Sequence, residues 1–241
     1  MVKGKLIYNS NNMDQERTQK DKGKLFVFEG VDGTGKETQL NLFKKRLLKE
    51  GLRFKFTSFP RYNKPSSYFI NRYLDDLESP YGDSDSISPY MASLFYSLDR
   101  ADASFGLKRW LDNNDVVVLD RYTGSNLGHQ GAKLANEDER KRYTDWLFNL
   151  EYEILQIPKP NLNIVLDNPM DVIKRRLTER QNSDAHEANF DHIEKARASY
   201  LWAASNYDNF KIVSGVENDK ELTPEEIHEK VWELTRGELG L

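Results

Sequence analysis

The run Gly30-Val31-Asp32-Gly33-Thr34-Gly35-Lys36 lies between the apolar stretch Leu25-Phe26-Val27-Phe28 and a segment of helical periodicity, and this order leaves few folds open. Glycine-rich backbone that turns from a strand into a helix can aim its N–H groups inward. The positive end of the helix and a mobile lysine then complete a cradle for phosphate oxygens. The spacing G-x-x-x-x-G-K in this setting predicts a P-loop that holds a nucleoside triphosphate through Gly30, Val31, Asp32, Gly33, Thr34, Gly35, Lys36, Glu37 and Thr38. One letter departs from the usual pattern, which has Ser or Thr directly after the lysine as a Mg²⁺ ligand. Here Glu37 occupies that place and Thr38 follows. Either Thr38 substitutes through a register shift, or a carboxylate holds the ion, or the hydroxyl ligand is dispensed with.

The chain has 241 residues, enough for one sizeable α/β domain, and a net charge of −4, so no basic field drives sequence-independent binding to nucleic acid. It has no cysteine, which excludes disulfides and thiolate metal sites and fits a cytoplasmic protein. No apolar stretch approaches membrane-spanning length, so no membrane partner is expected. Residues 1–23 are polar and are expected to be a disordered or variable extension ahead of a single domain over 24–241 with a lid around 174–191.

Five β-rich runs, Lys24 to Glu29, Arg53 to Ser58, Asp115 to Asp120, Leu162 to Asp167 and Phe210 to Ser214, alternate with amphipathic stretches. That alternation predicts an α/β three-layer fold with a five-stranded parallel sheet flanked by helices. The first helix carries Leu40, Phe43 and Leu47 on one side and ends near Glu50-Gly51. Ser88-Pro89 opens a long helix, Asn168-Pro169 restarts helix after the fourth strand, and Thr223-Pro224-Glu225-Glu226 forms a capping box. A helix from Asn136 is expected to bury Tyr143, Leu147, Leu150 and Ile154, to offer no chemical residue, and to face a subunit partner.

Parallel strands bring their carboxyl ends to one edge, so the residues after them share a crevice. Asp120-Arg121-Tyr122 ends the third strand there, where a guanidinium can bridge donor and acceptor phosphates and an aspartate can hold a metal-bound water or orient the arginine. A structural ion pair would explain that triplet taken alone. Phe59-Pro60-Arg61-Tyr62 follows the second strand and adds an arginine and two aromatics, for a phosphate or sugar contact or merely as a packed loop. Tyr96 and Arg100, four apart on a helix, can stack on a base and donate to a carbonyl, or can be a core ring and its surface neighbour. The basic stretch Lys174 to Arg180 leads into polar residues 181–187, a composition suited to a lid, in which His186 reads as a surface residue.

In this order the marks Phe28 to Gln39, Phe59-Pro60-Arg61-Tyr62, Leu98-Asp99-Arg100, Asp120-Arg121-Tyr122, Ser125-Asn126 and Gln130-Gly131 resemble the thymidylate kinases, over Lys24 to about Leu239. The resemblance implies a Mg²⁺-dependent kinase that transfers the γ-phosphoryl group of ATP to dTMP, working as a homodimer. It implies catalytic roles for Lys36, Asp32, Arg121 and a lid arginine, Arg176 or Arg180, with Asp191 closing the lid. It implies an acceptor site of Asp32, Phe59, Arg61, Tyr62, Tyr96, Arg100, Arg121, Ser125, Asn126, His129 and Gln130, in which Tyr96 stacks on the base, Arg100 meets a base carbonyl and Asn126 contacts the N3 edge. A metal would lie near Asp32 and Asp120. His129 stands where family members often have a tyrosine against the sugar C2′ position. The competing expectations are a deoxynucleoside kinase, which would need Glu29 or Asp120 as a general base, a monophosphate kinase for another base, or a nucleotide switch protein.

Overall fold

The structure, a computed structural model, describes residues 23–75, 79–82, 86–180 and 190–241, with the side chain of Arg180 outside that set. The polar extension, apart from Gly23, and most of the expected lid loop, including His186, therefore lie outside the described residues. Five strands, β1 (Leu25–Glu29), β2 (Phe54–Ser58), β3 (Val116–Asp120), β4 (Leu162–Asp167) and β5 (Phe210–Ser214), form one sheet in the order β2-β3-β1-β4-β5. Every pairing in it is parallel. The central strand β1 is buried on both faces, as a parallel strand between helical layers must be.

Side chains of a strand alternate between faces, and the two cores follow that period. Phe26, Phe28, Val116 and Val118 pack on one side with Phe43 and Leu47 of α1 (Lys36–Lys49) and with Val231 and Trp232 of α8 (Pro224–Leu239). Leu25, Val27, Val117 and Leu119 face the other way, onto Ala103 and Leu107 of α3 (Pro89–Asp112). The expected caps form: Ser88 Oγ accepts from Met91 N–H, and Thr223 and Glu226 close a reciprocal box.

Three features escaped the sequence. A short helix α2 (Tyr68–Tyr73) follows the Phe59 loop, and α4 (Thr123–His129) follows β3. A small hairpin, β6 (Val216–Glu217) with β7 (Lys220–Glu221), turns through Asn218 and Asp219, both with positive φ as a tight two-residue turn requires.

The expectation for the helix beginning at Asn136 needs correction. It runs as α5 (Glu137–Phe148) with Asn136 as N-cap, then widens into a π-helical segment over Asn149–Ile154. Tyr143 and Leu147 are buried as expected, but Leu150 is only partly buried and Ile154 is 66% exposed. The wider turn advances the register, so that Glu151, not Leu150, faces inward. The segment thus does carry a chemical residue. The remaining helices are α6 (Met170–Arg180) and α7 (Phe190–Asn206). Among the described residues no helix is long and apolar enough to cross a membrane.

Candidate active site

Two cavities open at the carboxyl edge of the sheet and share Asp32 as a common wall. The first, about 480 Å³, is lined by Val31 to Gln39, Asp120, Arg176 and residues at the start of α8. Gly33 and Gly35 adopt the left-handed backbone that the turn demands, and at Gly30 a Cβ would lie 2.6 Å from the carbonyl oxygen of Leu166. Helix α1 begins at Lys36, so its unpaired N–H groups open onto this space. Lys36 Nζ is ion-paired with Asp120 Oδ1. Arg176 also reaches this wall and donates to Glu221 of the hairpin at 3.1 Å. The backbone of Arg180 ends α6.

The second cavity, about 290 Å³, is lined by Asp32, Phe59, Tyr62, Tyr96, Arg100, Arg121, Ser125, Asn126, His129 and Gln130, with Pro60, Leu74 and Tyr122. Ten of the eleven acceptor-site positions implied by the resemblance therefore meet here, although they come from the P-loop, the Phe59 loop, α3, the end of β3 and α4. Arg61 is the exception. Its guanidinium turns to Asp99 at 2.9 Å, to Asp102 and to Ser66, and its backbone N–H also donates to Asp99. Those partners hold the loop that carries Phe59 and Tyr62 against α3. The Phe59-Pro60 peptide bond is cis.

Asp120 and Arg121 divide the edge between the two cavities: the first lines the P-loop cavity, the second the other. The split requires a sharp change of direction, and Arg121 makes it with φ 64°, a left-handed conformation costing of order 1–3 kcal/mol for a non-glycine residue. Its N–H is held by the carbonyl of Phe28 at 2.9 Å. The guanidinium donates to Asp32 at 2.7 Å and touches His129 Nε2 at 3.0 Å. Burial disfavours its charge, but Tyr200, Asp32, Glu29 and Asp120 more than compensate and hold its pKa above the usual arginine value.

Arg100 is 1% exposed and is clamped by Glu151, which is wholly buried. Glu151 accepts from Arg100 Nε at 2.9 Å and from Nη2, and also from Ser97 at 2.6 Å and Thr123 at 2.6 Å. Arg100 Nη1 is left with one long contact to the Tyr122 carbonyl, 3.4 Å away. Near it, Asn126 Nδ2 and Gln130 Oε1 are buried with no hydrogen-bond partner in the protein. Both residues line the second cavity, and buried amide atoms without partners cost free energy, so a small side-chain turn toward a polar ligand would be favoured.

Glu29 does not reach either cavity. It is fully buried beneath α4 and accepts from the Tyr122 N–H at 2.8 Å, Ser125 Oγ at 2.7 Å and Tyr200 Oη at 2.9 Å. Burial outweighs these donors and raises its pKa above the usual carboxylate value. At Gly124 a Cβ would sit 2.8 Å from the same carboxylate, so glycine is required for the close approach. Asp191, expected at the lid, pairs with Lys195 of its own helix at 2.6 Å.

A family model described as thymidylate kinase matches residues 28–229, which includes both cavities. The chain belongs to the thymidylate kinase family. Among its relatives is a thymidylate kinase of Mycobacterium tuberculosis, 33% identical over 142 residues; the match covers 59% of this chain and 64% of that protein's length. Another, from Prochlorococcus marinus, is 30% identical over 204 residues, 84% of this chain and 92% of the relative. A solved thymidylate kinase structure from Candida albicans superimposes with a TM-score of 0.66 at 22% identity, covering 90% of this chain and 92% of the other, and so shares the fold.

Sequence reasoning within this family frame missed Glu151 and left Asp99 without a role. Glu151 and Glu153 set among Leu150, Ile154 and Leu155 were the available signal for the first, without indicating which of the two turns inward. A second missed residue, His192 at the start of α7, has none in the sequence, because only the fold brings it to His129.

Proposed function

We propose that this protein is an ATP-dependent kinase that transfers the γ-phosphoryl group to dTMP, giving dTDP and ADP. The observation that carries this reading is the pair of adjoining cavities, with Lys36 in one, Arg121 in the other and Asp32 between them. A dTMP phosphate is already an anion and needs no general base. The task is to bring two negatively charged groups together and neutralise the charge that spreads over the transferring group. Lys36 and the N–H groups of the P-loop hold the donor phosphates, Arg121 holds the acceptor phosphate, and Asp32 orients Arg121. Arg176, on the wall of the donor cavity, is the lid arginine whose position supports a role at the transferring group.

The base end suits a pyrimidine with carbonyls. Arg100 can only donate, Asn126 Nδ2 donates and Gln130 Oε1 accepts, which matches the alternating acceptor and N3–H donor edge of thymine. Cytosine would set its amino group against Arg100. Tyr96, half-buried beside Tyr73, supplies a ring face to the base. Neither general base of the deoxynucleoside kinase alternative is available, since Glu29 is closed off and Asp120 is paired with Lys36.

Mg²⁺ would be held by oxygen donors on the donor cavity wall. Asp120, Glu37 and Thr38 line it and suit a hard cation that keeps waters and takes phosphate oxygens, with Asp120 exchanging its Lys36 partner for the ion; Asp32, on the same wall, is paired with Arg121. The ion would neutralise charge on the β- and γ-phosphates.

We read the chain as one cytoplasmic domain that pairs with a second copy. Met91, Leu94, Leu98 and Phe105 form an exposed apolar stripe along α3 at helical spacing, with Phe105 70% exposed, and this supports a homodimer through that face. A coupled ADP-release assay across dTMP, dUMP, dCMP and thymidine, with and without Mg²⁺, tests the substrate. dTMP should be preferred, with dUMP poorer by the roughly 1–3 kcal/mol that one methyl group supplies. Preference for dCMP or thymidine would overturn the assignment.

A further inference from the structure

Arg121 Nη1 lies 3.0 Å from His129 Nε2, and His129 Nδ1 lies 3.4 Å from His192 Nε2. A guanidinium has only donors, so His129 must present the lone pair of Nε2 to it, and the single proton of a neutral ring then sits on Nδ1. That proton points at His192 Nε2. His192 accepts it in turn, which places its own proton on Nδ1. The result is a directed chain from Arg121 through His129 to His192, in which every hydrogen bond runs the same way.

The surroundings hold His129 neutral. Burial comes first, and the nearby Arg121, His192 and Lys36 add to it, leaving its pKa well below the ordinary histidine range. The two imidazoles lie nearly parallel with centroids 5.7 Å apart, and the Tyr200 ring closes another side edge-on at 6.1 Å. Room is not left for a larger neighbour, since a Cβ at Gly128 would fall 2.2 Å from the Tyr200 ring. His129 opens to the acceptor cavity, whereas His192 faces a separate hollow beside Lys133, Asp191 and Lys195.

We propose that His129 is a positioning residue for Arg121, and that His192 reinforces the tautomer Arg121 imposes by accepting the hydrogen bond from the His129 Nδ1 proton. The first turn of α7 is thereby tied to the guanidinium that meets the acceptor phosphate. Any shift of α7 that withdraws His192 leaves the His129 Nδ1 proton without that acceptor and weakens the preference for the tautomer that faces Arg121. This inference rests on the acceptor assignment made above, but its first test does not depend on substrate.

Nitrogen NMR of histidine-labelled protein should show His129 with a protonated Nδ1 and a bare Nε2. His192→Leu should let that proton redistribute, while His192→Gln, whose amide oxygen still accepts, should keep it in place. In steady-state kinetics His129→Phe should raise KM for dTMP by about 10- to 100-fold, the loss expected of one hydrogen bond to a charged group, with KM for ATP little changed. His192→Leu should raise the same constant by a smaller factor, and His192→Gln should restore it. A proton found on Nε2 of His129 in the unmodified protein would overturn the proposal. So would identical dTMP constants for His192→Leu and His192→Gln, even if His129→Phe failed to fold. A protein with the expected tautomer that does not phosphorylate dTMP would instead remove the substrate reading and leave the histidine chain intact.

Discussion

The donor cavity and the acceptor cavity are built by opposite means. The first is largely one contiguous stretch of chain, Val31 to Gln39, whose binding groups are backbone N–H donors and one lysine. The second is assembled from side chains on separate elements, each held by a partner behind it: Arg100 by Glu151, Ser125 by Glu29, the Tyr62 loop by Arg61 and Asp99. A backbone site needs little more than its own turn geometry. A side-chain site needs a buried supporting layer, and that layer is polar and costly to disturb.

The largest effect should come from that supporting layer. Glu151→Leu leaves the Arg100 charge buried and unpaired, which should cost about 3–5 kcal/mol in chemical denaturation. Pairing it with Arg100→Met should recover most of that stability but not discrimination of dTMP over dCMP. If the single substitution proved neutral, the acceptor cavity would not depend on hidden ion pairs as described.

Next in size is the donor side. Lys36→Ala should lower turnover on the order of 100- to 1000-fold, the cost of losing one well-aimed donor, with an unchanged circular dichroism spectrum and melting temperature. A comparable loss of stability would erase the contrast, because it would mean that the P-loop lysine also supports the fold through Asp120.

The smallest effect concerns pH and again singles out the acceptor side. His129 is held neutral in the folded protein, whereas in the unfolded chain it takes up a proton near its ordinary value of 6.5. The unfolded state therefore binds more protons below that pH. Stability should be fully present above it and should fall as the solution is acidified, by up to about 1.4 kcal/mol for each pKa unit of separation. The His228 pKa is lowered as well, so the informative quantity is the difference between unmodified and His129→Phe proteins in thermal melts across pH 5–7. Parallel curves would show that His129 is not held neutral.

This contrast also governs what could be read from the chain. Strands Leu162–Asp167 and Phe210–Ser214, the P-loop context and the caps at Ser88 and Thr223 were legible because each is encoded within a few neighbouring residues. Glu151 was not, since a helical period of 3.6 assigns Leu150 and Ile154 to the buried face and only the π-helical segment reverses that choice. Arg61 was expected in the acceptor crevice because its loop follows the second strand at the carboxyl edge, yet Asp99 and Asp102, one helix away, draw it off. His129 and His192 are 63 positions apart, beyond the reach of any local pattern.

The left-handed turn at Arg121 sends two successive residues at the end of β3 to opposite sides, Asp120 to the P-loop cavity and Arg121 to its neighbour. Because those two residues are covalent neighbours, the offset between the charged walls of the two cavities is set there by backbone geometry and not by the packing of helices. A substitution on α3 or α4 should then reshape the second cavity while leaving the offset between Asp120 and Arg121 in place.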